Sequence, residues 1–140
     1  MMSDELLVQE LIIAMFLKLS LDGYSKISLR NENVFQYASK MKMLFQDQFL
    51  SGDLFIKTLV SESYDEFKSF LMRRLVGNRL AFFNDRYDQL TMVATPYYVQ
   101  EELHFLQDYQ DLIMQGCSLL EETFTNDSPE IDWLLVKKYV

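Results

Sequence analysis

One cysteine and one histidine stand among the 140 residues of this chain, and that scarcity excludes whole classes of chemistry. An intrachain disulfide needs two cysteines, and the usual metal or general-base clusters need several imidazoles or thiols. Glycine and proline are scarce as well, at four and two, which excludes collagen-like, linker-like and disordered chains. Gly23, Gly52, Gly77 and Gly116 stand singly, so there is no glycine-rich phosphate cradle. The most apolar stretch, Leu6 to Leu19, is interrupted by Gln9, Glu10 and Lys18, and falls short of the roughly 20 apolar residues of a membrane helix. A secretory leader wants positive charge before its apolar region, and Asp4 and Glu5 occupy that place. A cytoplasmic protein with no membrane association is the expectation.

What the chain does have is apolar side chains, at 49% of residues, enough for a core in one domain of ordinary size spanning 1–140. The spacing predicts a mainly α fold, a compact helical bundle with a small β-hairpin. A winged-helix-like order would run through the first helix, the strand near Ile27, helices over 53–60 and 63–76 and the hairpin, and the helix over 33–50 fits that order poorly. Apolar residues from Leu6 to Leu19 surround most of a first helix, which places it centrally; Ser3 caps it and Asp22-Gly23 stops it. Ser25 to Arg30 alternates polar and apolar, the period of a short strand. Asn31 or Asn33 then caps a helix running to Leu50, whose stripe is Val34, Ala38, Met41, Phe45 and Phe49. A shorter helix follows over 53–60, and Ser63 with Glu66 opens another to about 76, with Gly77-Asn78 as a left-handed stop. Leu80 to Phe83 and Leu90 to Val93 flank a polar turn and read as the hairpin, the alternative being that Leu80 to Phe83 extends the preceding helix.

Thr95-Pro96 is a strong helix start. From it a stripe at spacings of four and three runs through Val99, Leu103, Leu106, Gln110, Ile113, Cys117, Leu120 and Phe124, with Gln110 its one polar member. An unbroken helix over that stretch would be about 43 Å long, so either Gly116 breaks it or it protrudes. A short last helix carries Ile131, Trp133, Leu134 and Leu135. The expected core is Leu11, Ile12, Met15, Phe16, Val34, Met41, Phe45, Phe67, Phe70, Leu71, Val99, Leu103, Leu106, Ile113 and Leu120. Methionines such as Met15, Met41, Met72, Met92 and Met114 are expected to fill gaps in it.

Charge is uneven along the chain. Residues 1–94 hold twelve acidic and eleven basic side chains and are near neutral, whereas 95–140 hold nine acidic and two basic. Glu101, Glu102, Asp108, Asp111, Glu121 and Glu122 lie along the long helix, followed by Asp127, Glu130 and Asp132. They form a solvated face or a surface that meets a basic partner. Arg73, Arg74, Arg79 and Arg86 cluster about the end of one helix and the hairpin, where they cap the helix or meet phosphates.

No catalytic constellation emerges. Glu101 and His104 form one E-x-x-H pair, and a di-iron bundle needs two plus further glutamates. His104 and Cys117 lie 13 residues apart, about 20 Å along one helix, too far for a nucleophile and its base. Asp108 and Asp111 alone do not make a metal site. Neither enzymatic activity nor a cofactor or metal is expected. Two functions remain. The first is a non-catalytic regulator that binds a protein partner, in the manner of acidic inhibitors, antitoxins, immunity proteins or nucleic-acid mimics, with Tyr97, Tyr98, Leu106 and Tyr109 at the interface and the acidic residues steering a basic target; a homodimer through the long helix is its simplest form. The second is a winged-helix-like DNA-binding regulator using the four arginines and dimerising through the long helix.

Overall fold

The computed structural model of the chain describes residues 4–46 and 65–126. Its first helix, α1 (Asp4–Leu21), is apolar almost all round, and Val8, Leu11, Ile12, Met15, Phe16 and Leu19 are fully buried. The helix ends where Gly23 takes φ +102, a backbone state that glycine enters without a Cβ penalty. Lys18 Nζ holds the Asp22 carboxylate of the last turn at 3.0 and 3.1 Å. Strand β1 (Lys26–Ser28) follows, then α2 (Asn31–Gln46). Neither Asn31 nor Asn33 stands before α2 as a cap: Ser28 Oγ accepts from the Arg30 amide at 3.3 Å, and itself donates to the Asn33 side chain at 2.8 Å.

Helix α3 (Asp65–Leu71) continues into a π turn (Met72–Val76), closed by the Gly77 amide donating to the Met72 carbonyl at 3.1 Å. That extra residue moves the helix stop. Gly77 keeps right-handed angles, and Arg79, at φ +60, takes the left-handed position expected at Gly77-Asn78. Asn78 Nδ2 donates to the Arg74 carbonyl at 2.8 Å and so satisfies a helix-end acceptor. Strands β2 (Ala81–Asn84) and β3 (Gln89–Met92) make the hairpin. The sheet is antiparallel in the order β1-β3-β2, with Ile27 opposite Leu90 and Leu90 opposite Phe83 on the inner face. Among the described residues the order is helix, strand, helix, helix and hairpin, and residues 47–64, where the winged-helix-like order needs its helix over 53–60, lie outside them.

Helix α4 (Pro96–Phe105) begins as the sequence indicates: Thr95 Oγ1 accepts from the Tyr98 amide at 3.2 Å with Pro96 in the first turn. The long helix then breaks, at neither end nor at Gly116. Leu106 leaves helical angles (φ −102, ψ 24), Gln107–Tyr109 form a 3₁₀ turn, and α5 (Gln110–Asn126) runs on through Gly116. The break rephases the stripe, so that Gln110 turns to solvent while Leu112, Ile113, Cys117 and Leu120 are buried. Gly116 serves instead as the close approach of α5 to α1, since a Cβ there would lie 2.2 Å from Met15 Sδ.

One apolar cluster joins residues of every described helix and strand. Of the expected core only Leu103 is half-buried, and Met114 is exposed rather than packed inside. Among the described residues no helix is long and apolar enough to cross a membrane. Ser3, the helix over 53–60, the cap at Ser63, Phe49, Asp127, Glu130, Asp132 and the last helix with Trp133 lie outside the described residues.

Candidate functional site

The elbow between α4 and α5 shapes the most distinctive surface of the molecule. On α4, Val99 and Leu106 point into the core. At 100° per residue, Tyr97, Glu101 and Phe105 then fall in one line on the opposite side, four residues apart. Tyr97 and Phe105 are each 74% exposed. Scattered apolar exposure is ordinary, but these are two large aromatics on one helix face with a carboxylate between them. Elsewhere, the exposed Leu6 and Phe35 have other interactions within the chain, and Met43, Phe82, Tyr87 and Val93 are exposed on other parts of the fold to a lesser degree.

Beside this line the elbow opens a cleft of about 310 Å³. Leu103, Ile113 and Met114 supply its apolar lining, and Gln100, Gln107 and Gln110 bring three carboxamides to it; His104 and Lys18 complete the wall. Lys18 brings little free charge, because Asp22 holds its ammonium. The cleft exists because the 3₁₀ turn bends the chain. A continuous helix would have carried Gln110 on the buried stripe instead.

The six acidic residues of this region separate into two groups. Glu121 accepts from the Tyr24 hydroxyl at 2.8 Å, and Glu122 pairs with Lys40 Nζ at 3.0 Å. Glu102 is half-buried and hydrogen-bonded with Tyr98, whose phenol is held above its usual pKa chiefly by burial and then by that carboxylate. The first two join α5 to other parts of the chain, and the third is a contact within α4. Glu101, Asp108 and Asp111 are exposed and have no ion pair among the described residues. No Lys or Arg occurs between residues 95 and 126. The acidic residues left for a partner therefore sit on α4, the 3₁₀ turn and the first turn of α5, next in sequence to glutamines of the cleft wall.

The other residues expected at the interface divide in the same way. Tyr97 is exposed, Tyr98 is partly exposed, and Tyr109 is half-buried against the core. Leu106 is 4% exposed and belongs to the core, because it sits where the chain turns inward at the elbow. Phe105 and Met114, at 74% and 48% exposed, lie where a partner could reach them. The alternation of exposed and buried neighbours at Phe105-Leu106 depends on the helix break, which periodicity alone does not fix.

The four arginines differ in their surroundings. Arg74 forms an ion pair with Glu10 of α1 and is part of the packing. Arg73 is exposed on the π turn, Arg79 is exposed before β2, and Arg86 is exposed over the Tyr87 ring at 5.6 Å. The outward side of α3 begins with the exposed Asp65 and Glu66, and Lys68 is held by Asp88 at 2.9 Å.

Cys117 donates to the Met15 carbonyl at 3.4 Å. Burial pushes its thiol up to about 12, with Lys18 pulling the other way and Asp22 and Glu121 adding to the rise, the environment of an inert rather than a nucleophilic sulfur. His104 is exposed and is remote from it in sequence. Among the described residues no group of three or more His, Cys, Asp or Glu could hold a metal ion. Comparison with protein-family models, curated proteins and solved structures finds no match for this chain.

Proposed function

We propose that this protein is a non-catalytic regulator that binds a basic protein partner through the outward face of α4 and the elbow with α5. The observation that carries this reading is the pair Tyr97 and Phe105, each 74% exposed on one helix face with Glu101 between them. Covering an aromatic side chain buries roughly 150 to 250 Å², and at about 25 cal/mol per Å² the exposed part of each ring is worth roughly 3 kcal/mol to an interface. Glu101, Asp108 and Asp111 supply the charge that selects and steers a cationic surface. The test is affinity purification with and without nuclease, comparing wild type with Tyr97→Ser plus Phe105→Ser. A basic protein retained by wild type, insensitive to nuclease and lost with the double variant supports the reading. Equal recovery by both removes this face from the account.

A second reading, nucleic-acid binding, is favoured by the order of α1, β1, α3, β2 and β3, which a winged-helix-like arrangement shares. It would use Arg73, Arg79 and Arg86, since Arg74 is engaged by Glu10. Gel-shift binding that falls steeply with salt and disappears when those three arginines become alanine would favour it over the first.

A further inference from the structure

We infer that the elbow cleft takes a single apolar side chain from a lysine- or arginine-rich segment of the partner. This rests on the protein-binding reading and goes further, by assigning the anchor its place and its chemistry. Leu103, Ile113 and Met114 give the cleft apolar walls, and its volume of about 310 Å³ exceeds what one leucine-sized side chain fills. Gln100, Gln107 and Gln110 stand around it, and each carboxamide offers two donors and an acceptor, the complement of a peptide backbone passing over the opening. Asp108 and Asp111 adjoin Gln107 and Gln110 in sequence, and Glu101 adjoins Gln100; all three carboxylates are exposed and lack ion pairs among the described residues.

A glutamine-lined, apolar-walled cleft on elements that carry three exposed carboxylates selects against two alternative occupants. An anionic segment meets three carboxylates nearby, while the one lysine of the wall, Lys18, is held by Asp22. A second copy of this surface brings the same three carboxylates to the contact, so self-association pairs like charges. A cationic segment gains at both levels, because its lysines or arginines meet the rim while one leucine or phenylalanine enters the cleft.

The test uses fluorescence anisotropy with the full chain and three fluorescein-labelled peptides of equal length. The first has one leucine flanked by lysines, the second has alanine in place of that leucine, and the third has glutamates in place of the lysines. The leucine peptide is expected to bind about tenfold or more tightly than the alanine peptide, and the glutamate peptide not at all. Met114→Trp, a change at an exposed position that fills the cleft, is expected to abolish the leucine-to-alanine ratio. Asp108→Asn plus Asp111→Asn is expected to weaken both lysine peptides by a similar factor and leave that ratio intact.

Equal binding of the leucine and alanine peptides, a ratio that survives Met114→Trp, binding of the glutamate peptide, or no binding of any peptide overturns the proposal. If a natural basic partner is lost with Tyr97→Ser plus Phe105→Ser and unaffected by Met114→Trp, the wider reading stands while the anchor assignment falls.

Discussion

Gly116→Ala is the sharpest probe of how the acidic half of the chain is joined to the rest. An added Cβ would lie 2.2 Å from Met15 Sδ, 2.5 Å from its Cε and 3.0 Å from its Cγ. Met15 is fully buried, so its side chain can yield only by displacing its own neighbours. Overpacking of this kind costs about 1 to 3 kcal/mol. Working against that, alanine is favoured over glycine inside a helix by about 1 kcal/mol, and position 116 lies within α5. The net expectation is a loss of about 1 kcal/mol.

The two terms separate in a Met15→Ala background, where the obstructing sulfur and methyl are gone. There Gly116→Ala keeps its helix preference and should stabilise by up to about 1 kcal/mol, giving a coupling of about 2 kcal/mol between positions 15 and 116. Urea unfolding of the four proteins of the cycle, compared at constant m-value, reads both numbers. If Gly116→Ala stabilises equally in both backgrounds, α1 and α5 do not meet at this glycine and the described packing is wrong.

Other perturbations bear on neighbouring parts of the account. Cys117 should resist alkylation in the folded protein at pH 8 and react fully in denaturant. Its folded pKa, at about 12, lies above the ordinary thiol value, so the folded state holds that proton more tightly. Its contribution is therefore fully present below the unfolded pKa and falls by up to about 1.4 kcal/mol per pH unit above it, which Cys117→Ala should remove from a series of alkaline unfolding curves. Phe70→Ala should cost about 3 to 5 kcal/mol, since the ring is 1% exposed and packs on Phe67 at 6.1 Å between centroids; a loss below about 1 kcal/mol would place it at the periphery. Leu106→Glu should unfold the protein by burying a carboxylate, whereas Phe105→Glu should leave the circular dichroism spectrum and unfolding midpoint almost unchanged. The reverse order would mean that the elbow is phased wrongly.

The sequence discloses the local signals and hides the long-range ones. Ile27 flanked by polar residues announces β1, the polar turn at 84–88 announces the hairpin, and Thr95-Pro96 announces α4, because each depends on residues adjacent in the chain. The elbow is different. Gln110 interrupts the apolar stripe, and one polar residue in a long amphipathic pattern reads as a tolerated exception until the helix is seen to rephase at Leu106. The π turn after Leu71 is likewise invisible to a periodicity argument, since one extra residue in a single turn leaves the apolar spacing almost unaltered. The division of the acidic residues could not be read either: Glu121 is engaged by Tyr24, 97 residues away, Glu122 by Lys40, 82 residues away, and Glu10 by Arg74, 64 residues away. Charge counts locate an acidic region, while the tertiary partners decide which of its carboxylates are left for another molecule.

That distinction also weighs the two functional readings. The nucleic-acid reading has to be carried by cations, because affinity for nucleic acid comes largely from neutralised phosphates, with about 0.9 counterions released for each. With Arg74 and Lys68 engaged by Glu10 and Asp88, the exposed arginines of α3 and the hairpin are Arg73, Arg79 and Arg86, and the exposed Asp65, Glu66 and Asp85 lie among them. Three contacts give a salt slope near −2.7, well short of the six to ten contacts of a strong binder. The acids at the start of α3 also stand where a recognition helix meets bases and phosphates. At the elbow the charge balance is reversed, with three exposed carboxylates and no lysine or arginine between 95 and 126, and Tyr97 and Phe105 are more exposed than Phe82 and Tyr87 of the hairpin. The protein-binding proposal therefore rests on the exposed carboxylates and aromatics of the elbow, which a basic partner would cover, and the nucleic-acid reading on a few arginines interspersed with acids.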